Sequence, residues 1–357
     1  MKTALVKIVV SFLAIGGSCI ASANLAGGAD SYWISRTHNN LNKIENYSAT
    51  IEQTHSSSPD KILSQVQFTK PNNFHLLVSK PSYLKGFEVG FNEKTILLHN
   101  PISNNAIKLE GLKSPAASNT LEQVKRIYDY NLANYEHVFT PSINIAERLS
   151  VGLNFVAKDA EAEIVNLNSF SDYHYSMFMQ ADYSFRSGAT TKLTHSTMRF
   201  NQDNISLSTL EVPDNTELLY WDFSDASLSD KQAKERISTD IRWPIDTDNT
   251  WGFGQHQFYQ HTNAQTAAAY FYNDAFFMIA LTEPAKTKKE LIQGTHLTLN
   301  QTPVEFSQWP AFSHLTFELE SINYTLISNI HPQGLIDMAQ GMLSQHTSGN
   351  QFYLTRE

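Results

Sequence analysis

Thirteen histidines, thirty-five acidic residues and a single cysteine in 357 residues are the groups from which catalytic or metal chemistry would have to be assembled. Ligands to one ion must converge, and His256 and His261 stand five apart, an odd separation that puts them on opposite faces of a strand. The other histidines are scattered, so no metal site is expected. Glu161 and Glu163 read as neighbours on one strand face, where paired carboxylates describe a solvated surface as readily as an acid–base pair. There is no Gly-x-Ser-x-Gly elbow, no His-Glu-x-x-His and no phosphate loop. No catalytic residue and no cofactor are assigned, and the chain reads as non-enzymatic. The chemistry left is apolar. Tyr173, Tyr175, Met177 and Met179 recur at every second position, and soft, unbranched thioethers suit a surface that accepts irregular apolar partners. The same residues would also fill an ordinary core, and both readings stay open.

Strands must position these side chains. Period-2 alternation begins at Tyr47–Gln53 and continues through Ile62–Phe68, with the Ser56–Asp60 turn between them. Phe74–Val78, Gly86–Phe91 and Thr95–His99 follow, punctuated by Pro71, Pro81 and Asn92, which predicts an antiparallel meander. Alternation places Phe74, Leu76 and Val78 on one side, as it does Phe87, Val89 and Phe91, and Ile96 with Leu98. Helical spacing over 118–135 aligns Leu121, Val124, Tyr128 and Leu132 as a candidate lid. More strands are expected over Glu163–Leu167, a long Tyr173–Tyr183, Thr190–Phe200 and Ile205–Val212. From Ile241 a second β-rich unit runs to a helix opened by Pro332, with Leu335, Met338 and Met342 on one stripe. The fold class is therefore mainly β with capping helices.

The charge of −9 gives no bulk attraction to polyphosphates, so no nucleic-acid partner is expected. Lys2 and Lys7, the apolar Ile8–Ile15 run and Ala21-Ser22-Ala23 form a leader over 1–23, too short to span a bilayer. Cys19, after Ile15-Gly16-Gly17-Ser18, offers a second export signal, the lipidation site of a lipoprotein. Cleavage after Ala23 and a lipid anchor on Cys19 remain alternatives; either places the protein in the periplasm or cell envelope. With its only cysteine there, the folded part has no thiol for disulfides, zinc thiolates or nucleophilic attack. The polar stretch Ser224–Lys234 reads as part of a linker.

Several of these stretches resemble a known family. Tyr47-Ser48-Ala49-Thr50-Ile51-Glu52-Gln53, then Phe68-Thr69-Lys70-Pro71-Asn72-Asn73-Phe74-His75-Leu76 and Pro81, with Val212-Pro213-Asp214-Asn215-Thr216 closing, is similar to the outer-membrane lipoprotein carrier (LolA-like) superfamily; His75 stands where that family has arginine. Phe317–Ser328 followed by Leu335-Ile336-Asp337-Met338-Ala339-Gln340 resembles the C-terminal domain of the RseB/MucB envelope-stress regulators, without its usual tryptophan and glycine. The resemblance implies a curved antiparallel half-barrel over 30–225, a linker at 226–240, a smaller β-rich domain over 241–345 and a tail at 346–357. It also implies an apolar cavity for acyl chains, for which strand alternation alone nominates Phe74, Leu76, Val78, Phe87, Val89, Phe91, Ile96, Leu98, Tyr175, Met177 and Met179 as the lining. The expected role is a sensor or regulator that binds lipid or a lipidated protein and docks a membrane-anchored regulatory protein; a periplasmic carrier is the alternative.

Overall fold

The computed structural model describes residues 28–344 apart from 57, 71–72, 93, 113–119, 204–210, 224–227, 239, 245, 247–250, 261–265, 273–275, 286–294 and 310–311. The leader, Cys19, the tail and the expected strand core at 205–210 lie outside the described residues. The helices are α1 (Gly28–Leu41), α2 (Thr120–Asn134), α3 (Asp230–Arg236) and α4 (Pro332–Ser344). The first set of strands is β1 (Asn46–His55), β2 (Ile62–Thr69), β3 (Asn73–Lys80), β4 (Glu88–Phe91), β5 (Ile96–Asn100), β6 (Asn105–Glu110), β7 (Tyr135–Ile145), β8 (Arg148–Ala157), β9 (Ile164–Asp172), β10 (Phe178–Phe185), β11 (Thr190–Phe200) and β12 (Glu217–Asp222). The second is β13 (Gln255–Gln260), β14 (Ala267–Tyr272), β15 (Phe277–Pro284), β16 (Thr295–Leu299), β17 (Thr302–Trp309), β18 (Phe312–Leu319) and β19 (Ile322–Ser328).

The chain is mostly β, built on a large open curved sheet and a second, smaller one. The large sheet runs β12-β6-β5-β4-β3-β2-β1-β11-β10-β9-β8-β7, and the smaller β13-β14-β15-β19-β18-β17-β16. The predicted meander is present as β1 to β5, and an unforeseen β6 extends it, each strand antiparallel to the next. Burial in β1 alternates strictly, because one face meets the core and the other faces water. β14 is buried throughout, so its Ala267-Ala268-Ala269-Tyr270-Phe271-Tyr272 run shows no period.

Two expectations need correction. Residues 173–177 are not the start of a strand; they form the turn between β9 and β10. The Asp172 carboxylate accepts the backbone N–H groups of His174 (2.9 Å) and Tyr175 (2.6 Å), an Asx-type cap that outweighs the alternating aromatics. Ser176, with φ of 57°, completes the reversal. Glu161 and Glu163 likewise lie in the loop before β9, where Glu161 pairs with Arg186 at 2.7 Å. One hairpin went unforeseen: β7 and β8 occupy 135–157, joined by a two-residue turn in which Ala146 and Glu147 both have positive φ. The stretch read as a linker contains α3, opened by a Ser229–Gln232 capping box.

Candidate functional site

Residues paired across strands share a face, so register alone lays out the inner surface of the large sheet. One row crosses Phe200, Tyr47, Phe68, Phe74, Phe91, Ile96, Leu109 and Trp221, from β11 through β1 to β6 and on to β12. Beside it run Met198, Ala49, Val66, Leu76, Val89, Leu98 and Ile107. All are buried. Tyr47 stacks on Phe68 at 5.3 Å, and Phe74 meets Phe91 at 5.7 Å.

The structure brings Phe74, Leu76, Val78, Phe87, Val89, Phe91, Ile96, Leu98, Met177 and Met179 into one buried cluster, with Tyr175 half-buried against it and stacked on Phe200 at 4.2 Å. The helix residues Leu121, Val124 and Tyr128 are buried in the same cluster, and Leu132 packs on it. Tyr128 stacks on Phe178 at 4.5 Å. Its hydroxyl bonds Ser171 and donates to the Ser176 carbonyl, and burial holds its pKa far above the usual phenol value.

Two bodies cover this face. The helices α1 and α2 are tied to each other by His38 to Asp129 (3.1 Å) and to the β9–β10 turn by Asn40 to Ser176 (3.1 Å). The second sheet covers another part: Phe91 meets Phe277 and Phe312 at 6.1 and 5.6 Å, and Phe185 meets Phe306 at 5.7 Å. Polar contacts stitch the same seam. Gln53 donates to His55 Nε2 (2.7 Å), leaving Nδ1–H to donate to Thr295 (2.8 Å), while Thr295 and Thr191 share a bond of 2.8 Å. Ile164 N–H donates to Gln333 on α4 at 2.6 Å. Tyr130 on α2 lies between Trp251 (4.9 Å) and His331 (4.4 Å). Sequence reasoning missed this second cover; the aromatic density of β15, β17 and β18 was its only trace.

The one ion pair with a fully buried partner is Arg148–Asp172 at 2.6 Å, among the described residues. The Arg148 guanidinium lies over the Phe200 ring at 4.9 Å, so its charge ends the aromatic row. No group of three His, Cys, Asp or Glu residues among the described ones is placed to hold a metal ion. No described helix is long and apolar enough to cross a membrane.

No protein-family model and no curated protein matches the chain. Among solved structures it is similar to a MucB crystal structure, at 10% identity over 89% of this chain and 98% of that one, with a TM-score of 0.46. A chain of the Pseudomonas aeruginosa MucA/MucB complex is similar at 9% identity over 87% and 97%, TM-score 0.44. A LolA-superfamily protein from Nitrosomonas europaea matches 49% of this chain and 94% of its own at 9% identity, TM-score 0.25. The chain thus resembles MucB and LolA-superfamily structures.

Proposed function

We propose that this chain is a non-enzymatic envelope protein that binds the acyl chains of a lipid or lipidated protein between the inner face of its large sheet and the α1–α2 pair. What carries this conclusion is the unbroken apolar register row from Phe200 to Trp221, buried in the same cluster as Leu121, Val124 and Tyr128 of α2. The exposed tie between the two roofing helices adds little to their hold. His38–Asp129 is about one-third exposed on both sides, and contacts of that kind contribute roughly 0–1 kcal/mol. Against that, each buried CH2 contributes about 0.8 kcal/mol, so an eight-carbon stretch supplies roughly 6 kcal/mol before ordering costs. Met177 and Met179 can repack around such a guest.

The second sheet favours a sensor or regulator over a carrier. It lies on the same face through Phe91, Phe277 and Phe312, so a guest that displaces Phe91 also changes how residues 241–345 sit. Those residues would then present an altered surface to a membrane-anchored regulatory partner, with the half-barrel of 30–225 as the sensing part. The mature chain would begin at Asn24, or at a lipidated Cys19.

Native mass spectrometry of the mature protein, purified from envelope fractions without detergent, tests this. A lipid or acyl-peptide adduct that is lost in the Met177→Asp/Met179→Asp variant is the expected result. An apo mass together with refusal of added lipid by the wild-type chain overturns it.

A further inference from the structure

The two roofing helices enclose polar atoms that nothing satisfies. Trp33 Nε1, Thr37 Oγ1 and both ends of the Asn131 carboxamide are shut off from solvent and make no hydrogen bond, and the Thr37 and Asn131 side chains are wholly buried. Their neighbours fix where they lie. Asn40 on α1, three residues after Thr37, and Tyr128 on α2, three residues before Asn131, both bond Ser176. At the other end Trp33, one turn before Thr37, meets Phe139 edge-on at 5.4 Å, and Phe139 belongs to β7, the strand into which α2 runs. The helices are therefore antiparallel, and Thr37 and Asn131 fall between these two anchors. Spacings of three and four keep them on the same helix faces as Asn40 and Tyr128, which reach toward the sheet where Ser169 and Ser171 are buried on β9.

Buried donors and acceptors are ordinarily matched, and each exception calls for an explanation. This set has a definite chemistry. Trp33 and the Asn131 amide nitrogen donate, the Asn131 carbonyl accepts, and the Thr37 hydroxyl does either. The nearby charges are all engaged: His38 with Asp129, Arg148 with Asp172, and Arg36 with the Tyr173 carbonyl and ring. The complement is a neutral group that presents a carbonyl and an N–H together. It would sit beside apolar surface, since Leu153 pairs with Ser169, Met177 follows Ser176 in the chain, and Phe178 stacks on Tyr128.

We propose that Trp33, Thr37 and Asn131 form a subsite for the amide group of a fatty-acyl amide, with its chain running onto the apolar rows. This subsite rests on the acyl-binding function proposed above and specifies the head group that the site prefers. A carboxylate head is disfavoured by the lack of an unpaired cation, and an ester lacks the N–H that the Asn131 carbonyl needs.

The test is displacement of the fluorescent probe 1-aminoanthracene from the full mature chain by N-methyldodecanamide, methyl dodecanoate and sodium dodecanoate. The amide should bind about tenfold more tightly than the ester. In Thr37→Val/Asn131→Leu that preference should vanish, with ester affinity unchanged and the urea midpoint not lowered. Equal binding of amide and ester to the wild type, or a preference that survives the double substitution, overturns the subsite while leaving acyl binding intact; the unmet atoms would then be served by internal water. If no probe displaces the fluorophore, the acyl-binding function itself falls and the subsite with it. Should the double variant not fold, the wild-type amide-to-ester ratio decides alone.

Discussion

His55, His195, His314 and His331 are buried and held neutral: burial pushes the first three down to about 4 and His331 to about 3. The unfolded chain, with ordinary imidazoles near 6.5, therefore takes up protons first as the pH drops. The stability these neutral rings allow is fully present above pH 6.5 and is lost as pH falls through 6.5 toward 4, by about 3 kcal/mol per histidine over the whole window. Urea midpoints measured at pH 7 and pH 4.5 should differ strongly. His314, with neither ring nitrogen partnered, should lose its share of that slope as His314→Leu, and the variant should be no less stable at pH 7 because an unmet donor is removed. A second residue-scale prediction concerns Gly334. A Cβ there would lie 2.2 to 2.8 Å from three Trp251 ring atoms, and Trp251 is stacked on Tyr130 of the roof. Gly334→Ala should cost about 1–3 kcal/mol and shift tryptophan fluorescence; an unchanged spectrum and midpoint would contradict the packing. None of this was legible in the sequence, where a histidine in a strand looks the same whether it faces water or a second sheet.

Among elements, the β7–β8 hairpin is the one most exposed to mishap. β7 is an edge strand of eleven residues with Val138, Phe139 and Ile143 open to solvent. Its protection consists of Glu136, Pro141 and the register shift between Thr140 and Ile143, devices that discourage edge-to-edge pairing. Val138→Lys should lower light scattering on heating without moving the unfolding midpoint. Gly152 lets the hairpin close on its outer side, since an added Cβ would sit 2.0 Å from Thr140 Oγ1 and 2.7 Å from Phe170. Gly152→Val should therefore destabilise the sheet by roughly 1–3 kcal/mol in urea unfolding. The sequence half-announced this hairpin: Leu149, Val151, Leu153 and Phe155 keep period 2, but β7 breaks it with its bulge and proline. The stretch from Tyr173 erred in the opposite sense, showing strand alternation where the Asp172 side chain imposes a turn. By contrast β1 to β3 and the α2 stripe were readable, because each has one buried and one more exposed face and so writes its period into the residues; β5, buried throughout, was read between its flanking turns, and β6 was not read.

For the molecule as a whole, the governing fact is that one apolar face serves two covers. Phe91 joins the sheet row to the second sheet, as Trp221 does through Tyr259 at 5.1 Å. Phe91→Ala should cost about 3–5 kcal/mol, the usual range for a buried phenylalanine, and should loosen residues 241–344 relative to the large sheet. Limited proteolysis reads this directly: new cleavage between residues 223 and 255 is expected in the variant, and an unchanged pattern would show that the two sheets do not depend on this contact. That the second unit lies on the first could not be deduced from period, since strands buried on both sides, such as β14, carry none.

The strand order also dictates a sequence of events in time. The chain enters the large sheet at its middle with β1, builds outward to β6, restarts at the far edge with β7 and returns, so that Tyr47 meets Phe200 only at the end of the circuit. β12 then crosses to pair in parallel with β6. As the protein is made, β1 remains an open edge bearing Tyr47 until Phe200, more than 150 residues later, has followed. Such long-range closure is slow and leaves sticky intermediates. This chain should therefore refold sluggishly from urea and benefit from a holdase while it is being made.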